Sequence, residues 1–240
     1  MKANNNDQPK KIDITGILAD ISLVGLVYVV AQIVVAMMIV GFGIKDSSEL
    51  AKRPQLVLNS YIFAGLITLF LTYGVLKLRK VDFSSLGFRK YMPTDFGYAL
   101  LGYVVYMFIA VLATSILRLI PGLDLDQTQD LGLGEVSKGL LPLAFVALVF
   151  VPPIVEEILF RGFLYGRLKH HRLPLITAAI LTSVGFGLVH GQLNVGVDTF
   201  ILSMVMIFML EKRKNLWVTV TMHALKNFVA FLALFVFKIV

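Results

Sequence analysis

VPPIVEEILFRG, residues 151–162, sets two adjacent glutamates and an arginine behind two prolines, inside a run (139–166) that is otherwise almost wholly apolar. Whether that run is a membrane span decides the fold. Of 240 residues 58% are hydrophobic and 15% charged, with a mean hydropathy of +0.83. A water-soluble domain holds roughly half apolar and a quarter charged residues. The chain therefore reads as an all-α, polytopic bundle of transmembrane helices. Runs able to cross roughly 30 Å of hydrocarbon lie at 17–44, 57–78, 96–120, 139–166, 173–191, 195–210 and 216–236. The sixth is short and bounded by Gly196 and Asp198, and an eighth, interfacial helix fits within 124–138. Seven spans are expected, within a range of six to eight.

The polar start, residues 1–16, reads as a cytoplasmic tail. The run at 17–44 is too long for a signal-peptide core and no small-residue cleavage pattern follows it, so it is expected to stay as an anchor. With spans alternating from a cytoplasmic N-terminus, one side carries Lys2, Lys10, Lys11, Lys77, Arg79, Lys80, Arg89, Lys90, Arg167, Lys169, Arg172, Lys212, Arg213 and Lys214. The other carries only Lys45, Lys52, Arg53, Arg118, Lys138 and Lys238, besides the acids Asp124, Asp126, Asp130 and Glu135. Basic residues mark cytoplasmic loops, so the N-terminus is expected inside and the C-terminus outside. The net charge of +7 is read as this topology signal and not as a nucleic-acid surface. There is no cysteine, which excludes disulfides, thiolate metal sites, a lipidated cysteine and a cysteine nucleophile.

A charged side chain near the bilayer centre costs roughly 2.5–3.5 kcal/mol on insertion scales, so acids there usually face the protein interior and serve a function. On a helix Glu157 and Arg161 share a face, while Glu156 points about 100° away. Arg161 can thus neutralise Glu157 and leave Glu156 free toward a cavity; alternatively both acids merely pair with arginines and hold helices together. SVGFGLVHG (183–191) carries Phe186 and His190 one turn apart among glycines that allow close helix approach. TVTMHALKNFVAF (219–231) carries His223 and Asn227 on one face. A lone membrane histidine is more often an interhelical hydrogen bond than a catalyst. Two carboxylates, two imidazoles and an amide from three helices can instead activate water. His170 and His171, in the basic turn RLKHHR, read as loop residues.

These segments resemble a known family. EEILFR (156–161), FGLVH (186–190) and HALKN (223–227) match, in order, the EExxxR, FxxxH and HxxxN motifs of the CAAX-protease and bacteriocin-processing family (CPBP, also called Abi) of intramembrane proteases. The resemblance covers roughly 139–237 and marks that stretch as a catalytic core. Helices within 17–138 carry no assignable motif and are expected to be variable and substrate-contacting.

The resemblance implies hydrolysis of a peptide bond in a membrane-associated protein or peptide. It makes Glu156 the general base, with His190 positioning and activating the water. Glu157 and Arg161 would shape the site, and His223 and Asn227 would stabilise the oxyanion. No serine has the spacing of a nucleophile elbow. The family is often labelled metalloprotease, and Glu156, His190 and His223 could supply the two-His, one-carboxylate set of a catalytic zinc. HExxH is absent, however, and the metal-free reading, preferred here, uses the same residues. Prenylated CAAX proteins are the eukaryotic substrate class; the short basic tail and compact length point to a bacterial plasma membrane and to peptide maturation, bacteriocin immunity or signalling. A non-proteolytic immunity or scaffold protein of the same fold, and a transporter or proton channel, are the alternatives. One difficulty stands: from the basic ends of their spans Glu156, His190 and His223 lie about 15, 24 and 10 Å deep at 1.5 Å per residue, so a shared site needs tilted or kinked helices.

Overall fold

The computed structural model describes residues 11–123, 125 and 131–238. Among these residues there is no strand, and eight helices follow one another. They are α1 (Ile14–Gly41), the short α2 (Ser47–Ala51), α3 (Pro54–Leu78), α4 (Pro93–Leu117), α5 (Lys138–His170), α6 (Leu175–Leu188), α7 (Leu193–Arg213) and α8 (Leu216–Phe237). All but α2 and α6 are long and apolar enough to cross a membrane.

Two expectations need correction. The sixth apolar run, which looked short, is the full 21-residue α7. The fifth, 173–191, is the short one: α6 has 14 residues, about 21 Å at 1.5 Å per residue, because Gly191 adopts a left-handed φ of +68° and closes the helix. An interfacial helix within 124–138 is not seen over 131–137; residues 124 and 126–130 lie outside the described residues, as does most of the polar tail. The first helix begins at Ile14, earlier than its apolar run, since the Asp13 side chain accepts the Gly16 N–H at 2.9 Å. That bond caps the helix and holds the Asp13 carboxyl below the usual carboxylate range.

The bundle is built by apolar stripes that meet inside while equally apolar surfaces face outward. Helix α1 buries Ile17, Asp20, Val24, Val27, Ala31 and Val35, one every three or four residues, and exposes Leu18, Leu26, Val29 and Met37. Apart from Asp20, buried and exposed faces are alike apolar, as in a helix that meets lipid on one side and protein on the other. Helices α6 and α7 form the tightest pair: a Cβ on Gly187 would stand 2.7 Å from the Gly196 carbonyl oxygen, and the Ser183 and Ser203 hydroxyls meet at 2.7 Å. Small residues let these two backbones touch.

One end of the bundle collects the basic segments. Arg79 and Arg167 pair with Asp20 at 2.6 and 2.8 Å, Lys169 with Glu211 at 2.5 Å, and Arg213 with Asp95 at 2.8 Å. The start of α1, the end of α3, the start of α4 and the ends of α5 and α7 therefore lie together. These are the segments that the charge count assigns to one side.

Candidate active site

The site starts from the two prolines. An amide donates to the carbonyl four residues back in an α-turn and five back in a π-turn. The Leu148 carbonyl would need the N–H of residue 152 or 153, and both are proline. The surrounding turns, Val146–Phe150 and Ile158–Tyr165, are the wide π type. The orphaned carbonyl is instead met by Asn227, whose Nδ2 donates to it at 2.8 Å from α8. Pro152 thus creates an acceptor, and the HALKN asparagine satisfies it.

One turn on, the two glutamates separate as their helical angles require. Glu157 is fully buried, pairs with Arg161 through Oε1 at 2.9 Å and meets His223 Nδ1 with the same oxygen at 3.0 Å. Glu156 keeps a side chain 24% exposed toward a cavity of about 410 Å³ and lies 3.8 Å from His223 Nε2. The buried Oε2 of Glu156 has no hydrogen-bond partner. His190 lines the same cavity, with Nδ1 2.7 Å from the Phe186 carbonyl. A carbonyl only accepts, so His190 Nδ1 carries the proton and its Nε2 is left as an acceptor. The Glu157 carboxylate assigns a proton to His223 Nδ1 in the same way.

Phe186, which the sequence offers as the first position of FxxxH without a role of its own, is the hub of the site. The Arg161 guanidinium stacks 4.1 Å from its ring centre, and the imidazoles of His190 and His223 meet that ring edge-on at 5.1 and 5.7 Å. A guanidinium over an aromatic face is stabilised electrostatically, and more so when desolvated. The first position of FxxxH therefore seats the arginine of EExxxR and both histidines.

The three reactive side chains come level through features the sequence did not display. From the basic end of α5, at His170, Glu156 is about 21 Å deep, and His190 is about 22 Å beyond Leu175. Helix α8 starts inside the bundle: Leu216 donates its N–H to the Gly87 carbonyl at 2.9 Å and, with Leu86, walls in Gly162. That start lies about 12 Å in from His170, so His223 reaches about 22 Å as well. The mismatch in depth came from ending the α5 span at Gly166, when the helix runs on to His170, and from taking Leu216 as a surface residue.

The first half of the chain also reaches the site. Tyr28 of α1 and Tyr61 of α3 line the cavity. The Tyr28 hydroxyl donates to the Val189 carbonyl, next to His190, at 2.9 Å, and Tyr61 donates to Leu131 at 3.1 Å. Lys226, also on the wall, pairs at 2.9 Å with Asp198, which accepts from Tyr106 at 2.5 Å. The acid that marked a doubtful span is thus neutralised inside the bundle. Among the described residues no three His, Asp or Glu side chains are grouped closely enough to hold a metal ion. Glu156, His190 and His223 have the right donor atoms for zinc but do not converge as a ligand set.

Comparison with known proteins places a family match within the second half of the chain. Residues 138–229 match the model of a family described as type II CAAX prenyl endopeptidase Rce1-like, the stretch that carries all three motifs. A Bacillus subtilis (strain 168) protein named "Putative membrane peptidase YdiL" is 27% identical over 130 residues, 54% of this chain and 52% of that protein. The match thus spans about half the length of each. No solved structure matches the chain.

Proposed function

We propose that this protein is an intramembrane endopeptidase that hydrolyses a peptide bond of a membrane-associated protein or peptide with water activated by Glu156. The observation that carries the reading is that Glu156, midway along a membrane-spanning helix, has an unpartnered oxygen and opens onto a cavity it shares with two imidazoles. A carboxylate so placed accepts a proton from water while the hydroxide adds to the substrate carbonyl.

His190 Nε2, an acceptor, orients that water. His223 Nε2, 3.8 Å from Glu156, takes up the proton as the two close to hydrogen-bond distance; with both nitrogens then protonated it donates to the oxyanion or to the leaving amine. Glu157 supports the imidazolium through Nδ1, and Arg161 balances Glu157. Asn227 also lines the cavity; its second amide hydrogen is left for the oxyanion. The reading extends to a bacterial plasma membrane with the basic end cytoplasmic.

The test is cleavage of membrane-anchored reporter peptides by purified protein in lipid vesicles. Glu156→Gln is nearly isosteric but cannot take the proton, so turnover should fall roughly 100- to 10,000-fold with unchanged melting. A Gln variant retaining most of the wild-type turnover would remove Glu156 from the role of base.

A further inference from the structure

A second concavity, of about 350 Å³, opens at the basic end, roughly 20 Å along α1 from Tyr28. Three separate stretches of chain wall it: residues 11–13, 78–80 and 167–172. They bring five cations, Lys11, Arg79, Lys80, Arg167 and Arg172. Beneath them Asp20, fully buried, holds Arg79, Arg167 and the Nε2 of His171, while His171 Nδ1 meets Asp13 at 2.9 Å. Arg167 is therefore held by a hydrogen bond, and Arg79 by ionic contact, to a carboxylate that solvent does not reach. Lys11, Lys80 and Arg172 have no carboxylate within ion-pair distance among the described residues. Five cations against two aspartates leave a surplus of three positive charges.

Topology alone does not require this arrangement. The rule that basic residues collect on one side concerns loops one by one, and a helix C-terminus attracts cations in its last turn. Neither asks three stretches to converge on one hollow. Lys80 and Arg172, just past the ends of α3 and α5, both hold left-handed φ angles, +53° and +66°, which non-glycine residues adopt at a cost. Here those turns fold the chain back at the rim. Leu78, 69% exposed, borders the pocket, and α1, whose cap Asp13 also lines it, presents Ile14 next in the chain and Leu18 one turn on, 65% and 60% exposed. A charged hollow that continues into an apolar surface fits a lipid better than a free ion.

We propose that this pocket holds the phosphate of an anionic phospholipid from the surrounding leaflet, with its acyl chains lying along Leu18 and Leu78. The fixed arginines supply directed donors to the phosphate oxygens, and the unpaired lysines and Arg172 supply attraction. The site is separate from the Glu156 cavity and does not depend on the peptidase reading.

Native mass spectrometry of the full chain, titrated with phosphatidylglycerol, phosphatidylcholine or inorganic phosphate in neutral detergent, tests the assignment. Phosphatidylglycerol should bind and phosphatidylcholine should not compete with it. Replacing Lys80→Gln together with Arg172→Gln should weaken phosphatidylglycerol binding roughly 25-fold, about fivefold for each interfacial cation. The double replacement Lys90→Gln with Lys212→Gln removes the same charge from the same end but outside the pocket, and should change binding less than about threefold. Equal losses in the two variants would mean diffuse attraction and overturn the site, as would equal binding of the two lipids. Inorganic phosphate binding as tightly as phosphatidylglycerol would overturn the assignment to a lipid.

Discussion

Glu157 and Asp20 are both fully buried carboxylates on membrane-spanning helices, and each meets cationic or imidazole groups from its surroundings. Their neighbourhoods differ in sign. Around Asp20 cations outnumber acids, and the group lies at the end of the bundle where Arg79 and Arg167 remain 25% and 15% exposed. Around Glu157 the acids are in excess: Arg161, with a fully buried side chain, balances one glutamate, and Glu156 beside it is left uncompensated deep in the bundle. A buried pair is tolerated when its geometry is good, whereas an unbalanced charge at membrane depth marks a functional site. The basic cluster can hold helices together; the acidic one can also take a proton.

The largest effect should separate these clusters by stability. Arg161→Ala strands Glu157 with no guanidinium and no route to solvent, and should lower stability by roughly 3–5 kcal/mol and abolish cleavage with it. Asp20→Asn keeps the shape and leaves Arg79 and Arg167 able to reach water, so the loss should be about 1–3 kcal/mol, with turnover within about twofold of wild type in the vesicle assay. Melting in detergent and reporter cleavage check both. An Arg161→Ala protein that melts like wild type would show that the Glu157 pair does not support the fold. An Asp20→Asn protein that stops cleaving would erase the distinction between the two regions.

Next in size is Asn227, whose two possible duties can be parted by restoring the amide that Pro152 lacks. Asn227→Ala should lower turnover roughly 100- to 1,000-fold if its free hydrogen meets the oxyanion, and should also lower the melting temperature, because the Leu148 carbonyl loses its donor. Adding Pro152→Ala returns an N–H four residues from that carbonyl. The double variant should regain the melting temperature but not the turnover. Recovery of both would make Asn227 a brace for the proline break alone.

Helix placement was legible because lipid-facing and core-facing residues are both apolar, so long runs stand out whatever their contacts. The same property hid how the helices sit against each other. Nothing in 80–90 announces that Gly87 will accept from Leu216 and let α8 begin inside the bundle, and this decides the depth of His223. The shortness of α6 rests on one left-handed glycine, Gly191. Within the site, spacing on one helix was readable, as with Glu157 and Arg161, since 3.6 residues per turn fixes which side chains share a face. Partners on other helices were not: the Phe186 ring under Arg161, the Leu148 carbonyl for Asn227, and Tyr28.

Tyr28 gives the smallest expected effect and the sharpest comparison, because α1 carries both it and Asp20. Its hydroxyl ties the turn that ends α6 to the middle of α1 through the Val189 carbonyl, the residue before His190. Tyr28→Phe removes one hydrogen bond and little volume, so stability should fall by about 1 kcal/mol. The catalytic consequence should be larger than that suggests, since this bond holds the residue next to His190 and a reacting group that is free to wander loses alignment. Turnover should fall roughly tenfold with KM unchanged, the loss of alignment being felt in the chemical step. Asp20→Asn, two turns away on the same helix, should give the opposite pattern, with a lower melting temperature and intact turnover. A Tyr28→Phe enzyme with wild-type kcat and a lowered melting temperature would place Tyr28 with Asp20 as a fastening of the bundle and take α1 out of the chemistry.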